Sequence, residues 1–428
     1  MFALVLLLAS PAFSLSLDQA LDAAEASSPV GALSEARVAE AHAKLNQVRS
    51  WLLPTVSAGG ASVWQNEVGL DLCYPMYKAL QAAGVPVQPS MCDSFEEPVV
   101  TPGQQWQAQI VAQQGLFAPS AWLWRRAAAE GEDLAEREGG VDHYQLAAAV
   151  LEAWHASARH QALLHDARAA EELAERIEKL AENLVTGGVA SKDQLLQARG
   201  AVATARATVA RATAASEAAN AALALVTGQS EPADSFAVPT GAPSLAEALA
   251  ALDRPDLRMA TQRIEAAQAV VKAERAMALP IVGLTGKYYG LEPAPMVAES
   301  WNWQVQLGVQ VPLFAGGKVL AKTAEARAQV EKATAGERIL RDQARLEVIR
   351  VHGELSAALA SLREREEALR LTEEAVAAAE ARLKEGSGSL LTLQQAQGGT
   401  AEAQVRLTLA RADAAYAADK LRQVTRGL

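Results

Sequence analysis

Aromatic side chains are scarce in this chain, 5% of 428 residues, although half of the residues are apolar. Much of that apolar half is alanine scattered among Glu, Arg, Gln and Leu, so the sequence lacks the bulk for a fat globular core. It reads instead as long helices packed side by side. A basic face is also missing, and with a net charge of −11 nucleic acid is excluded as a partner. Cysteine is nearly absent: Cys73 and Cys92 lie among Pro75, Pro86, Pro89, Pro98 and Pro102. Two thiols without a neighbouring His make half a metal site at most. In an exported chain they read as one loop-closing disulfide. After the first 14 residues no run of about 18 uncharged apolar residues occurs, so no transmembrane helix is expected. Those first residues, MFALVLLLASPAFS, carry a short apolar run followed by Ala12 and Ser14 at signal-peptidase spacing, and residues 1–14 are read as a signal peptide.

Catalytic constellations are lacking too. His155, His160 and His165 are spaced by five, which turns each about 140° from the last on a helix, so they read as solvated positions without a shared face. Gly316-Gly317-Lys318 lacks the earlier glycine and the trailing Ser or Thr of a phosphate loop. Glu373-Glu374 reads as the solvated face of a periodic helix. The chain is therefore not expected to be an enzyme, and no cofactor or metal is expected.

What is present is a repeat. SLDQAL from Ser16 returns as SLAEAL from Ser244, and LLPTVSAGGAS from Leu52 returns as ALPIVGLTGKY from Ala278. GLFAPSA from Gly115 returns as PLFAGGK from Pro312, and GVASKDQLLQA from Gly188 as GSGSLLTLQQA from Gly386. The first repeat is read as residues 15–228, the second as 244–428, with 229–243 as a linker. Each opens with a helix, about Leu17 to Leu52 and Leu245 to Leu279, that stops at a proline. The period then changes. Trp301, Trp303, Val305, Leu307, Val309 and Val311 alternate with Asn302, Gln304, Gln306, Gly308 and Gln310, the pattern of a strand with one apolar and one polar face. Gln105 to Gln114 behaves likewise, with Trp106, Ala108, Ile110 and Ala112 opposite Gln105, Gln107, Gln109 and Gln113. Four strands are expected, at about 55–66, 104–115, 281–290 and 301–312.

Helical periodicity resumes after Phe117 and Phe314. The stretch to Thr186 would be roughly 100 Å long as one helix. Val348, Leu355, Leu362, Leu369, Val376 and Leu383 recur every seven residues, a coiled-coil seam, and Leu173, Ile177, Leu180 and Leu184 continue such spacing in the first repeat. Four strands cannot close a barrel, whereas several chains pooling theirs can. An apolar outside, a Gln-rich inside and strands of about ten residues suit an outer-membrane barrel. Trp64, Trp106, Trp301, Trp303, Tyr288 and Tyr289 are expected at strand ends as an aromatic girdle. Trp301, Trp303, Val305, Leu307 and Val309 are read as lipid-facing. A soluble β-sandwich fits the strands but not the helical arms.

In its doubled order of LSLDQAL, LLPTVS, GLFAPS, VPLFAGGK, GVASKDQLLQA and SGSLLTLQQA, the chain resembles the TolC family of outer membrane efflux proteins over nearly its whole mature length. The resemblance implies a mainly α protein whose long helical hairpins form a coiled-coil α-barrel, with four strands per chain entering a 12-stranded trimeric transmembrane β-barrel. It implies an outer-membrane channel of a tripartite efflux or type I secretion system reaching into the periplasm. The implied partners are two further copies, a periplasmic adaptor, an inner-membrane pump or secretion ATPase, and outer-membrane lipid. By the same resemblance Gly187, Gly188, Val189, Ser191, Gly386, Gly388 and Ser389 form the periplasmic tip and adaptor contact, with the glycines permitting the reversals. Asp193, Gln194, Gln197, Thr392 and Gln395 line the pore constriction, where the family usually carries carboxylates. A secreted trimeric coiled-coil scaffold or adhesin is the competing reading.

Overall fold

The computed structural model describes residues 14–94, 98–294 and 299–427; all but the last residue of the expected signal peptide lies outside them. Helices α1 (Leu17–Ser27) and α2 (Pro29–Ser50) precede strand β1 (Thr55–Trp64). An insert then holds β2 (Val68–Gly69), α3 (Cys73–Ala82), a 3-10 turn (Pro89–Met91) and β3 (Val99–Thr101). Strand β4 (Gln104–Phe117) leads into α4 (Pro119–Thr186) and α5 (Lys192–Thr227). The second repeat follows the same order with α6 (Leu245–Ala250), α7 (Pro255–Ala276), β5 (Ile281–Glu292), β6 (Trp301–Gln310), α8 (Lys318–Lys384) and α9 (Leu390–Arg426).

The opening helix of each repeat is not continuous, contrary to expectation. Ser28 sits in an extended conformation between α1 and α2, since the residue before Pro29 is pushed out of the helical region. In the second repeat α6 already stops at Ala250, and Pro255 opens α7 after a short connection. Helix starts are set by local chemistry: Ser16 and Gln19, Ser191 and Gln194, and Ser244 and Glu247 each form a capping box.

Two compact units arise, and each draws on both repeats. One comprises the chain through Ala39, Asp133–Ile264 and Lys332–Leu428; the other comprises Glu40–Glu132 and Glu265–Glu331. In the first unit the expected linker is docked rather than loose. Leu15 bridges Ala233, the Trp154 indole donates to the Leu15 carbonyl at 2.7 Å, and the Ser157 hydroxyl accepts from the Ala233 amide at 3.1 Å. Ala20, Ala24, Val150, Trp154 and Leu223 close the core around it. A second core of Val348, Val351, Leu355, Leu421 and Val424 joins α8 to α9. The heptad seam is buried at Val348, Leu355 and Leu362 but half-exposed at Leu369, Val376 and Leu383.

Beside this core Arg254 is buried and donates to both carboxylate oxygens of Asp256, at 3.1 and 2.8 Å, and also to Glu347. Its guanidinium lies 5.1 Å from the centre of the Tyr144 ring. Burial pushes the Tyr144 hydroxyl up to about 12, against an opposing pull from Arg254. One residue, sitting just before Pro255, thereby ties α4, α7 and α8 together.

The second unit holds a four-stranded sheet in the order β1-β4-β5-β6, every neighbouring pair antiparallel. Alternate directions put the two edge strands, β1 and β6, antiparallel to each other. Ala127, Ala269 and Ala273 pack α4 against α7 in the same unit.

Candidate channel wall and helical turns

Because opposed residues in a ladder share a face, the register defines both surfaces of the sheet. On one lie Trp303, Tyr288, Ile110 and Ala58 in a single row, and Val305, Gly286, Ala112 and Val56 in the next. In the single chain this surface is bare: Val56 is 70% exposed, Trp303 76%, Leu307 65% and Val309 65%. The opposite surface carries Gln306, Thr285, Gln113 and Thr55, then Gln304, Lys287, Val111 and Ser57, then Asn302, Tyr289, Gln109 and Gly59. A sheet with an unpartnered apolar face of this breadth is not built for water on both sides.

Trp64, Trp106, Tyr288, Trp301 and Trp303 gather at one end of the sheet, the end joined to the insert of residues 65–103 and to residues 293–300. Tyr289 departs from the expected girdle: the pleat turns it to the glutamine surface opposite Asn302, where Lys287 Nζ lies 4.7 Å from its ring centre. Tyr288 stacks on Trp301 at 5.4 Å, and Trp301 covers Gly290 so closely that an added Cβ would lie 2.6 Å from its ring. In the insert Cys73 and Cys92 are joined as a disulfide, tying α3 to the 3-10 turn.

The helical turns belong to the first unit. Gly188 and Gly386 have positive φ of 69° and 76°, so these two need glycine for backbone conformation. The other two glycines do not adopt that conformation. Gly388 lets the backbone pass close, its imagined Cβ falling 2.8 Å from the Leu383 amide nitrogen, while at Gly187 the nearest atom would be 3.5 Å away. Val189 is 75% exposed. Ser191 and Ser389 are N-caps of α5 and α9. Leu390, from the second turn, is buried with Ile177, Ala181 and Ala198 of the first hairpin, which brings the two turns side by side.

Of the expected constriction residues, Gln194 and Thr392 are occupied locally. The Gln194 side chain accepts from the Ser191 amide at 3.0 Å, and the Thr392 hydroxyl meets the Ser389 hydroxyl at 2.9 Å. Asp193, Gln197 and Gln395 are exposed. Sequence periodicity missed Gln394 and Gln397, whose Nε2 and Oε1 are buried without partners among the described residues. It also misplaced His155, which is buried, not solvated, with Nε2 3.1 Å from Asp419; the ring packs edge-on to Trp154 and Tyr416. His155 and His160 border one groove with Arg159 and Asp413, so the five-residue spacing does not separate them fully. His165 is exposed. Among the described residues no group of His, Cys, Asp and Glu could hold a metal, and no helix is long and apolar enough to cross a membrane.

Paired long hairpins, glycine turns and a sheet apolar on one face and glutamine-rich on the other define a class of channel-forming envelope proteins. The family model described as outer membrane efflux protein matches residues 20–229 and 247–426, and the chain belongs to that family. It is accordingly an efflux protein of the outer membrane. Its fold is shared with the outer membrane protein VceC of Vibrio cholerae, at 19% identity and a TM-score of 0.72, over 96% of this chain and 96% of that one. The CmeC outer membrane channel of Campylobacter jejuni aligns at 16% identity and a TM-score of 0.69, over 96% and 85% of the two chains. The open-state MtrE outer membrane channel of Neisseria gonorrhoeae gives 20% identity and 0.68, over 96% and 89%. A comparison with curated protein sequences finds no match.

Proposed function

We propose that three copies of this chain assemble into a passive exit duct of a tripartite efflux or type I secretion system. Each copy contributes β1, β4, β5 and β6 to a 12-stranded barrel, with β6 of one beside β1 of the next. The carrying observation is the sheet itself: its edge strands run oppositely and stay unpaired, and its bare apolar face supplies the lipid surface. Trp301, Trp303, Val305, Leu307 and Val309 face lipid, and the glutamine face lines the lumen. The disulfide-bonded insert then lies outside the cell, beyond the aromatic end of the sheet.

At the inner end, the turns at Gly187, Gly188, Val189 and Ser191 and at Gly386, Gly388 and Ser389 meet a periplasmic adaptor coupled to an inner-membrane pump. The constriction is set by Asp193, Gln197 and Gln395, with Gln194 and Thr392 stiffening the helix starts behind it. Because amides and hydroxyls make up most of that lining, the constriction itself adds little ion discrimination.

Arginine at Leu307 tests the barrel. Near the bilayer midplane it costs about 2–4 kcal/mol per chain, whereas arginine at Gln306 faces water and costs little. Heat-modifiable trimers in outer-membrane fractions are expected for Gln306→Arg and lost or reduced for Leu307→Arg. Equal tolerance at the two positions overturns the assignment.

A further inference from the structure

Among all residues of the four sheet strands, only Lys287 and Glu292 carry charge. Glu292 lies at the sheet's end on the apolar surface, paired with Trp106. Lys287 stands within the other surface, in the row Gln304, Lys287, Val111, Ser57. Its surroundings are neutral: Thr285 and Tyr289 flank it on β5, Gln304 and Gln306 on β6, Gln109 and Gln113 on β4. Among the described residues no carboxylate pairs with its ammonium group, which lies instead over the Tyr289 ring face. A lysine on a sheet surface usually finds a cross-strand acid, and here every place for one is an amide or a hydroxyl.

We propose that Lys287 sets the charge preference of the barrel: three copies form a positive ring that favours anionic solutes and retards cationic ones. This rests on the trimeric barrel reading above. Glutamine amides solvate either sign, so the lumen wall itself is indifferent and the lysines supply its only fixed charge. The field of such a ring reaches about 30 Å at 0.01 M salt, about 10 Å at 0.1 M and about 3 Å at 1 M, so selection should fade as salt rises. The counterpart of Lys287 in the first repeat is Ala61, which the register places on the same surface, paired with Gln107. It offers a position from which the charge can be returned or opposed.

The experiment measures reversal potentials of purified trimers in planar bilayers under a potassium chloride gradient near 0.01 M and again near 1 M. Lys287→Gln should lower the chloride-to-potassium permeability ratio severalfold at low salt, with little change at high salt. Ala61→Lys added to Lys287→Gln should raise it again. Ala61→Glu, with Lys287 intact, should lower it, which keeps the test valid if Lys287→Gln fails to assemble. Conducting trimers whose ratio is the same in all these variants overturn the ring while leaving the channel in place. A parent protein that forms trimers but conducts nothing overturns the channel reading and the ring with it.

Discussion

The two repeats follow one plan and diverge where that plan leaves them free. Ile110 and Leu307, Gln109 and Gln306, and Trp106 and Trp303 occupy matching strand positions on matching surfaces. Both repeats break their opening helix at a proline and end their hairpins on a positive-φ glycine. Divergence gathers at three places. Between β1 and β4 the first repeat carries the disulfide-bonded insert, where the second has only residues 293–300. Before the second proline stands buried Arg254; before the first stands Ser28, whose hydroxyl accepts from the Val30 amide. Two arginines brace the first hairpin, Arg199 to Glu178 and Glu182, Arg206 to Glu171 and Glu175, while Arg411 to Glu366 at 3.6 Å is the looser cross-brace of the second. The lesson is that the apolar sheet surface and the positive-φ turn glycines hold matching residues alike, whereas single positions such as Lys287 against Ala61, and sites facing other segments of the same chain, take up separate duties.

The sharpest break of that symmetry is expected at the helix openings. Arg254→Ala strands Asp256 without its partner in a buried site and should cost about 3–5 kcal/mol. Ser28→Ala removes one local hydrogen bond and should cost about 1 kcal/mol. Thermal unfolding of the purified protein compares them, and similar losses would show that the two proline breaks are equivalent after all. The same site has a pH signature. A tyrosine whose hydroxyl is raised to about 12 from 10.0 keeps its stabilising effect below pH 10 and loses it as pH climbs toward 12. Ultraviolet titration should find one late-ionising tyrosine, absent in Tyr144→Phe.

Next comes a test of where the repeats agree. Ile110→Arg should impair trimer recovery as Leu307→Arg does, by about 2–4 kcal/mol, and Gln109→Arg should be tolerated. An arginine accepted at Ile110 but rejected at Leu307 would separate the environments of β4 and β6. Opening the disulfide through Cys73→Ser with Cys92→Ser should cost the insert about 3 kcal/mol of order on the chain-entropy view. Limited proteolysis should then cut within residues 65–103 while trimers persist. Smallest is the difference between caps. Ser191 has Gln194 as reciprocal partner and Ser389 has Thr392, whose side chain reaches the serine hydroxyl rather than its amide. Ser191→Ala should therefore lose about 1 kcal/mol, and Ser389→Ala somewhat less, read as hydrogen exchange at the first turns of α5 and α9.

The repeat and the strands were legible because period 2 and period 3.6 differ sharply and alanine-rich arms leave little else to read. Tyr289 escaped because adjacent aromatics look alike in sequence, while the pleat sends one to each surface. His155 escaped because helical spacing reports angles about one axis and says nothing of the neighbouring helix that buries it. The continuity expected from Leu17 to Leu52 and from Leu245 to Leu279 gave too little weight to the proline inside each stretch. Gln194 and Thr392 show the reverse limit: the turn sequence placed them near the reversal, but whether an amide projects or caps depends on a rotamer that spacing does not encode.

The two open edges of the sheet make stability a matter of mass action. In the single chain β1 and β6 are edge strands beside a bare apolar face, and their outer hydrogen-bonding groups are left for another strand to complete. If three copies assemble as proposed, folding and association become one reaction, so dilution alone should shift the melting midpoint, and a value quoted without protein concentration describes no single state. Before assembly the same edges accept any strand on offer, which makes the journey of a lone copy through the envelope its most aggregation-prone moment.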